Sequence, residues 1–325
     1  MHTAKVERNM QAIHNLVEEC VQDALLGEVY TTPKPGLVDL MDTGAHSDMD
    51  YHTFERSAQA IAPYLSQMFD MGMECSQLPE QLFEEIRPVG MRAEQAMFAA
   101  TDGVNTHKGI LFTMGILCAS AGYCLQHEGT IHVDTILSTS REMTEQCLCR
   151  ELQQMKERKP YTHGEILYRT YGEEGIRGQA RRGFPIIRQV AYPVMKQLSA
   201  AMRYPVRRYK QNAVNLHVLL AVMGELTDTN VLSRSNPRQA AWLRNEARHI
   251  LQLGGVQTTE GWNELLRFNE QCIRRNISPG GAADILAATL FLFLLEQRMG
   301  SYRALSGSDR CRQKRAHAAA LDDRK

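Results

Sequence analysis

Apolar side chains recur along most of this chain at the three- and four-residue spacing that is typical of amphipathic helices. Within residues 6–28, for example, they stand at Ile13, Leu16, Val17, Val21, Ala24 and Leu25. The same spacing predicts helices over residues 6–28, 51–71, 82–100, 109–125, 133–155, 185–203, 205–224, 238–253, 262–275 and 282–299. The alternating patterns and short Asn-Gly or Asp-Gly turns of β-hairpins are nearly absent. We therefore expect an all-α fold.

Two of the predicted helices, residues 109–125 and 282–299, are apolar on nearly every side. A helix without a polar face is usually buried, so we expect both at the centre of the domain. The first carries small residues that would let a neighbouring backbone approach closely: Gly109, Gly115, Ala119, Ala121 and Gly122. By contrast, the predicted helix over residues 133–155 is polar, and we expect it to be exposed.

The helical pattern contains no repeat of fixed period and changes character after residue 299. We predict one compact domain over residues 1–299, which a prior of about 150 residues per domain allows. The last segment, residues 300–325, has few large apolar residues and many basic ones: Arg303, Arg310, Arg312, Lys314, Arg315, Arg324 and Lys325. That composition predicts a flexible charged tail.

Charge and cysteine content narrow the setting of the protein. Its 325 residues contain 37 lysines and arginines and 37 aspartates and glutamates, so nothing draws the whole chain to nucleic acid or to an anionic membrane. The longest apolar run, residues 285–295, is shorter than the roughly 20 residues of a transmembrane helix. The eight cysteines are scattered without zinc-site or redox-motif spacing. Since no signal peptide precedes the first helix, we expect a cytoplasmic protein.

Two polar loops carry clusters of acidic side chains. Residues 31–50 have a rigid proline- and glycine-containing start, followed by Asp39, Asp42, His46, Asp48 and Asp50. Residues 224–234 follow an apolar helix and contain Asp228 and Asn230. Carboxylate oxygens with one imidazole nitrogen suit Mg²⁺ or Mn²⁺ better than a soft metal. The alternative is that these aspartates cap helices or close turns, which is the interpretation we favour for Asp50.

Two other loops lead into the apolar helices and are suited to binding anions. In residues 101–109, Asn105 or Thr106 is a plausible N-cap, and Lys108 adds a positive charge where the helix dipole is already positive. That conflict predicts a phosphate ligand, because free N–H groups at a helix start bind anions. Residues 277–284 place a serine, a proline and two glycines before the second apolar helix. The alternative for both is an ordinary capped turn with a solvated lysine.

A fifth segment, residues 169–184, alternates glycines with the arginines Arg169, Arg177, Arg181 and Arg182. Guanidinium groups on a pliable loop match phosphate oxygens, although a single glycine-rich loop is a weak signal. Neither a Walker A motif nor a dinucleotide-binding fingerprint is present. Taken together, the five segments predict a site for a polyphosphate with a divalent metal.

The five segments resemble the motifs of triphosphoribosyl-dephospho-CoA synthases, in one order over residues 10–297. The matching runs are Pro33-Lys34-Pro35-Gly36-Leu37-Val38-Asp39, Gly44-Ala45-His46 with Asp48-Met49, Gly103-Val104-Asn105-Thr106-His107-Lys108-Gly109, Asp228-Thr229-Asn230, and Ser278-Pro279-Gly280-Gly281 with Asp284. The resemblance implies an all-helical enzyme that transfers the triphosphoribosyl group of ATP to 3′-dephospho-CoA and releases adenine. It also implies that another transferase uses the product to modify an acyl carrier protein of citrate lyase or a related enzyme.

Within this resemblance we expect four catalytic residues, namely Asp39, His46, His107 and Asp228. Asp39 or Asp228 is the candidate general base, and His107 or His46 the candidate donor to the departing adenine. The expected ATP-binding residues are Lys34, Asn105, Thr106, Lys108, Gly109, Arg177, Asn230, Arg234, Ser278, Gly280 and Gly281. The expected ligands of Mg²⁺ are Asp39, Asp48, Asp228 and Asp284.

Two other functions fit parts of the same pattern. A helical, metal-dependent hydrolase of nucleotides or ADP-ribose would use the same carboxylates to activate water. A non-catalytic helical module that binds an acyl carrier protein would need no buried polar loops. Release of adenine with and without the acceptor distinguishes the hydrolase from the transferase.

Overall fold

A computed structural model describes the backbone of residues 2–157, 159–160, 162–201 and 208–322 and the side chains within 7–156, 159–160, 162–201 and 210–302. The described chain contains α-helices, one π-helical turn, one 3₁₀ turn and no strand. The expected all-α fold is therefore confirmed.

The helices follow the predicted pattern closely, with shorter ones added between them. Thirteen α-helices occur in the described chain: α1 (His2–Val29), α2 (Tyr51–Glu74), α3 (Pro79–Ala100), α4 (Lys108–Glu128), α5 (Val133–Glu157), α6 (His163–Tyr171), α7 (Gly175–Arg181), α8 (Tyr192–Ala201), α9 (Arg208–Glu225), α10 (Thr229–Arg234), α11 (Pro237–Gln252), α12 (Thr259–Arg274) and α13 (Gly280–Asp322). The π turn is Ile187–Ala191 and the 3₁₀ turn is Gly255–Gln257. Neither α7 nor α10 was expected, because both lie in segments predicted to be loops.

The apolar helix α4 lies at the centre of the fold, against α2. Small residues make this contact close: a Cβ on Gly72 would overlap the carbonyl oxygen of Ala119, and one on Gly122 would overlap that of Phe69. The expected close backbone approach at the small residues of α4 is confirmed. The predicted exposure of residues 133–155 is wrong, because α5 buries apolar side chains such as Ile136 and Leu148.

The second apolar helix, α13, packs against α1, α4 and α9. By length and composition, Lys108–Glu128 and Gly280–Tyr302 could each cross a membrane. The shortness of the apolar run over residues 285–295 was therefore not a sufficient argument against a membrane-spanning helix. In the most apolar 18-residue window of each stretch, 78% and 67% of the residues are buried, which is the environment of core helices.

The apolar core is one connected cluster that extends from Ile13 on α1 to Met299 on α13. Beyond this cluster α13 continues to Asp322. Side chains after Tyr302, and the whole of residues 323–325, lie outside the described part of the chain. The flexible tail over residues 300–325 stays a prediction.

Candidate active site

Most of the expected site residues line one cavity of about 220 Å³. The cavity lies where the end of α1 and the loop after it meet the starts of α4, α7, α10 and α13. Its expected members are Lys34, His46, Asn105, Thr106, His107, Lys108, Gly109, Asp228, Asn230, Arg234, Ser278, Gly280, Gly281 and Asp284. Segments separated by up to 250 residues in the chain are thus brought together at the ends of the two apolar helices.

Asp39 does not line the cavity, because its carboxylate is occupied within its own loop. Its Oδ2 accepts a hydrogen bond from the backbone N–H of Lys34 at 2.6 Å, and its Oδ1 accepts those of Met41 and Asp42 at 2.7 and 3.2 Å. The side chain is 1% exposed. Asp39 therefore holds the loop that presents Lys34, and the expected roles as general base and metal ligand do not fit its position.

Two further expected residues also lie outside the cavity. Asp48 is 62% exposed and lies 3.9 Å from the Nδ1 of His46. Arg177 projects from α7 toward Glu151, with its Nε 3.7 Å from a carboxylate oxygen. The segment that carries Arg177 does reach the cavity, but through Gly175, Ile176 and Gln179. Residues 175–181 form a helix, and this helix directs Arg177 toward Glu151 rather than into the cavity. The sequence had predicted a loop here.

Asp228 joins two helices at the cavity wall. It is the N-cap of α10, where its Oδ1 accepts from the backbone N–H groups of Asn230 and Val231 at 2.8 and 3.3 Å. Its Oδ2 accepts from Ala282 N at 2.9 Å, at the start of α13. Burial raises the pKa of Asp228 despite these hydrogen bonds. The anion that the sequence predicted at the start of α13 is therefore this carboxylate of the protein itself.

Asp284, one turn into α13, has a different environment. Its carboxylate faces the start of α4, where a Cβ on Gly109 would overlap Oδ2. Burial, together with the negative charges of Asp228 and Glu28, raises the pKa of Asp284 well above its usual range. Three carboxyl groups near one cavity repel each other, and a cation would relieve that repulsion.

Glu28 was not anticipated from the sequence. It lies in the last turn of α1 and forms an ion pair with the Nζ of Lys34; the two side chains are 3% and 2% exposed. Burial raises the pKa of Glu28, although the charge of Lys34 opposes the shift. A buried ion pair that lines a cavity is expensive in free energy, which makes this position a candidate for function.

His46 also lines the cavity, where the loop before α13 holds it. Its Nε2 lies 2.8 Å from the hydroxyl of Ser278, which is 2% exposed. Burial, with a smaller contribution from the charge of Arg234, lowers the pKa of His46. His46 is thus neutral near pH 7 and is better prepared to accept a proton than to donate one.

His107 precedes α4 and is 1% exposed. Its Nδ1 lies 2.6 Å from the hydroxyl of Ser57 on α2, whereas its buried Nε2 has no hydrogen-bond partner among the described residues. Burial, with the positive charge of Lys34, lowers the pKa of His107 from 6.5 to about 3. The expected action as a general acid with a near-neutral pKa does not fit this neutral imidazole.

Helix α4 begins at Lys108, one residue before the predicted start. Its N-cap position is His107 rather than Asn105 or Thr106, and the side chain of His107 makes no capping bond. The Oδ1 of Asn105 accepts from Lys108 N at 3.3 Å, and the first hydrogen bond of the helix runs from Leu111 N to His107 O. The N–H groups of Gly109 and Ile110 therefore precede this ladder. The ammonium of Lys108 is partly neutralised by Glu94, 2.6 Å away, and is 57% exposed.

The four expected metal ligands do not converge. Within the described chain, no group of three or more His, Cys, Asp or Glu side chains is arranged to hold a metal ion. Asp228 and Asp284 line the cavity, whereas Asp39 and Asp48 do not. A metal bound here would need ligands from a substrate, which is how Mg²⁺ commonly binds with nucleotides.

A second cavity of about 430 Å³ adjoins the first. The two share Gly175, Gln179, Leu226 and Thr227 in their linings. The outer cavity is bordered by Glu173, Glu174, Glu225 and Arg182. Two adjoining spaces can accommodate two substrates, or one long one.

Comparison with known proteins shows which family this chain belongs to. Residues 14–303 match the CitG family, described as ATP:dephospho-CoA triphosphoribosyl transferase. A probable 2-(5″-triphosphoribosyl)-3′-dephosphocoenzyme-A synthase of Citrobacter koseri is 40% identical over 84% of this chain and 88% of its own. A protein of the same description from Vibrio cholerae is 37% identical over 88% of this chain and 90% of its own.

A third relative, the 2-(5″-triphosphoribosyl)-3′-dephosphocoenzyme-A synthase of Haemophilus ducreyi, is 35% identical over 86% of this chain and 88% of its own. No solved structure matches the chain. The match extends from α1 into α13 and thus includes all the segments that line the cavity. The chain belongs to the family of ATP:dephospho-CoA triphosphoribosyl transferases, the triphosphoribosyl-dephospho-CoA synthases.

Proposed function

We propose that the first cavity, of about 220 Å³, binds ATP; we call it the inner cavity. The chain transfers the triphosphoribosyl group of this ATP to a hydroxyl of 3′-dephospho-CoA. The bond between C1′ of the ribose and the adenine nitrogen breaks, a bond from C1′ to the acceptor oxygen forms, and adenine leaves. The observation that carries this proposal is the convergence of five separate polar segments on one cavity that ends at the start of α4. The names of the relatives support the same pair of substrates.

The triphosphate is assigned to the start of α4. The N–H groups of Gly109 and Ile110 precede the hydrogen-bond ladder there, and the helix dipole favours an anion. Lys108 and Arg234 line the same cavity and supply positive charge. The start of α13 is not assigned to phosphate, because Asp228 already occupies its N–H groups. Arg177 is not included, since it lies outside the cavity.

Mg²⁺ is proposed to accompany the triphosphate, with Asp284 as its ligand from the protein. The carboxylate of Asp284 lines the cavity and is repelled by Asp228 and Glu28, so a dication there relieves an unfavourable interaction. One or two carboxylates with substrate phosphates are a usual set for Mg²⁺. When bound, the ion supplies charge neutralisation for the phosphates.

His46 is proposed to accept the proton of the acceptor hydroxyl. Its lowered pKa keeps it unprotonated near neutral pH, and the Ser278 hydroxyl, 2.8 Å from Nε2, fixes its orientation. This role differs from the donor role that the sequence suggested for His46. His46 thereby takes the place of Asp39 as the candidate general base, because the carboxylate of Asp39 already accepts hydrogen bonds from backbone N–H groups.

The outer cavity is proposed to hold part of 3′-dephospho-CoA. It opens from the inner cavity along Gly175 and Thr227, so an acceptor bound there is adjacent to the nucleotide. Its border is mainly acidic, which disfavours a phosphate and suits the amide N–H donors of the pantetheine arm. This assignment requires only that the triphosphoribosyl group pass from ATP in the inner cavity to the acceptor in the outer cavity.

The product is proposed to serve as the prosthetic-group precursor for an acyl carrier protein of citrate lyase or a related enzyme, after a second transferase attaches it. We also propose a cytoplasmic location. The seven cysteines with described side chains are all free, in agreement with a reducing compartment. The equal numbers of acidic and basic residues support a small-molecule substrate rather than nucleic acid.

The proposal is tested by incubating the purified chain with ATP and Mg²⁺, with and without 3′-dephospho-CoA, and measuring free adenine. We expect adenine only when the acceptor is present, and its loss when a chelator removes Mg²⁺. Equal release without the acceptor would instead identify a hydrolase. Full activity in the presence of the chelator would reject Mg²⁺ while leaving the transfer intact.

A further inference from the structure

Three side chains form a hydrogen-bonded row beside the cavity. The row begins at Thr106, passes through Ser57 on α2 and ends at His107. The Thr106 hydroxyl donates to the Ser57 hydroxyl at 2.7 Å, and Ser57 Oγ lies 2.6 Å from Nδ1 of His107. Ser57 is fully buried and stands on an apolar face of α2. Thr106 and His107 line the cavity, whereas Ser57 lies behind them.

With Thr106 as the donor to Ser57, one arrangement uses the hydrogens of both hydroxyl groups. A hydroxyl has a single hydrogen, and the hydroxyl of Ser57 already accepts the one from Thr106. If Nδ1 of His107 also donated to Ser57, the hydrogen of Ser57 would be buried without an acceptor among its contacts in the described chain. If Ser57 donates to Nδ1, the hydrogens of both hydroxyl groups are used. The imidazole then carries its own hydrogen on Nε2.

We propose that Thr106 and Ser57 are positioning residues that fix His107 as a neutral Nε2–H donor for a hydrogen bond to ATP. The inference rests on the proposed function for the identity of the ligand. Nε2 is buried, has no partner in the described chain and belongs to a ring that lines the cavity. A buried donor of this kind lacks a hydrogen bond until a ligand supplies an acceptor.

The surroundings of the ring keep it neutral and in place. The ring of Phe54 packs against it edge-on, with the centroids 5.0 Å apart. The backbone N–H of His107 points to the Sδ of Met97 at 3.2 Å. The charge of Lys34 acts against protonation of the imidazole. The acceptor on ATP is a lone pair, which either a ring nitrogen of adenine or a phosphate oxygen provides.

Nitrogen NMR of the protein labelled with ¹⁵N-histidine tests the arrangement directly, because the shifts of the two ring nitrogens report the tautomer. His107→Gln identifies the signals of His107 by their loss. We expect the Nε2–H tautomer in the ligand-free wild type, and a mixture of tautomers in Ser57→Ala. A Nδ1–H tautomer in the wild type would overturn the proposal. The tautomer is read from the wild-type spectrum, and His107→Gln serves only to assign its signals. Sequential assignment through the backbone of His107 replaces that variant if it does not fold.

Activity provides the second measurement. An amide N–H of glutamine can replace the Nε2–H donor but cannot transfer a proton. We therefore expect His107→Gln to retain activity within about 10-fold of wild type, and His107→Ala to lose roughly 10²–10³-fold in kcat. If glutamine is as inactive as alanine, His107 does not act as a donor alone and the proposal fails. Absence of product from the wild type would instead reject the proposed function, while the NMR result would still stand.

Adding adenosine or inorganic tripolyphosphate separately to the labelled wild type identifies the acceptor. A shift of the Nε2 resonance with adenosine places the hydrogen bond on the nucleoside, and a shift with tripolyphosphate places it on the phosphates. Either result supports the proposal. Saturation with ATP without any change at Nε2 would contradict it.

Discussion

Asp284 lies so close to Gly109 that a side chain on Gly109 fits only if the carboxylate of Asp284 moves. The two central helices therefore meet at the cavity, with a carboxylate of one beside the first N–H groups of the other. Placing a carboxylate and an anion-binding helix start together is useful when the ligand brings both a metal and phosphates. Several consequences of this arrangement can be measured.

The first prediction concerns Gly109→Ala. The added methyl group would displace the carboxylate of Asp284, which can rotate away, so we expect a change in the free energy of unfolding within about 1 kcal/mol. Activity should fall about 10²-fold, because a small displacement of a site group is costly for catalysis. Gly90→Ala on α3 is the matched control, since its nearest neighbour, Met68 Cε, is 3.7 Å from the added atom. Equal activity in the two variants would contradict the account.

Asp39 and Asp284 should give opposite results on substitution. Asp39→Ala removes the acceptor of three backbone N–H groups and should cost about 3 kcal/mol of unfolding free energy. Asp284→Asn should leave stability unchanged or raise it, because repulsion by Asp228 and Glu28 is removed, but should lower adenine release by about 10²-fold or more.

Urea unfolding and an adenine assay on the same preparations distinguish these outcomes. Asp48→Ala, at a residue that is 62% exposed, is the control and should change neither quantity. A stable, fully active Asp39→Ala variant would show that its hydrogen bonds are not needed to hold the loop. A fully active Asp284→Asn variant would remove Asp284 from the site.

The buried pair of Glu28 and Lys34 yields a prediction on coupling. Lys34→Met leaves an uncompensated carboxylate and should cost about 3–5 kcal/mol, whereas the double variant Glu28→Met, Lys34→Met should recover most of that loss. Activity should not recover, because both groups line the cavity. Recovery of both stability and activity in the double variant would show that the pair is purely structural.

Acid stability should depend on His107. Its pKa is lowered from 6.5 to about 3, so below pH 6.5 the unfolded chain binds a proton that the folded chain does not. The neutral ring therefore contributes stability that is lost as the pH falls from 6.5 toward 3. We expect His107→Gln to lose less unfolding free energy than wild type between about pH 7 and about pH 4.5 in urea titrations. His52→Gln, at a residue that is 57% exposed, is the control, and parallel curves for His107→Gln and wild type would contradict the shift.

Much of the fold could be predicted from the sequence because helical periodicity and the two apolar helices leave few other arrangements. The bundle centre at α4 follows from its lack of a polar face and from its glycines. The exposure of α5 was wrongly predicted because Ser140 and Thr144 are polar yet buried: each hydroxyl bonds to a backbone carbonyl one turn earlier. The composition of the segment does not show that these hydroxyl groups form hydrogen bonds within their own helix.

The candidate site could be predicted only in part. Aspartates in a polar loop can bind a ligand or hold the backbone, and the sequence does not separate Asp284 from Asp39. Glu28 was missed because a glutamate near the end of an amphipathic helix usually faces solvent, and its partner Lys34 lies beyond the helix. Ser57 was missed for a similar reason, since a small polar residue on a buried helix face carries no signal until His107 is placed beside it.

The central claim is that ATP donates its triphosphoribosyl group to 3′-dephospho-CoA in this cavity. The most direct measurement is the mass of the products formed from ATP labelled with ¹³C in its ribose and unlabelled 3′-dephospho-CoA. The account predicts one new CoA derivative that carries the labelled ribose with all three phosphates, and unlabelled adenine in equal amount. Labelled ribose triphosphate free in solution, or consumption of ATP without a labelled CoA derivative, would contradict it.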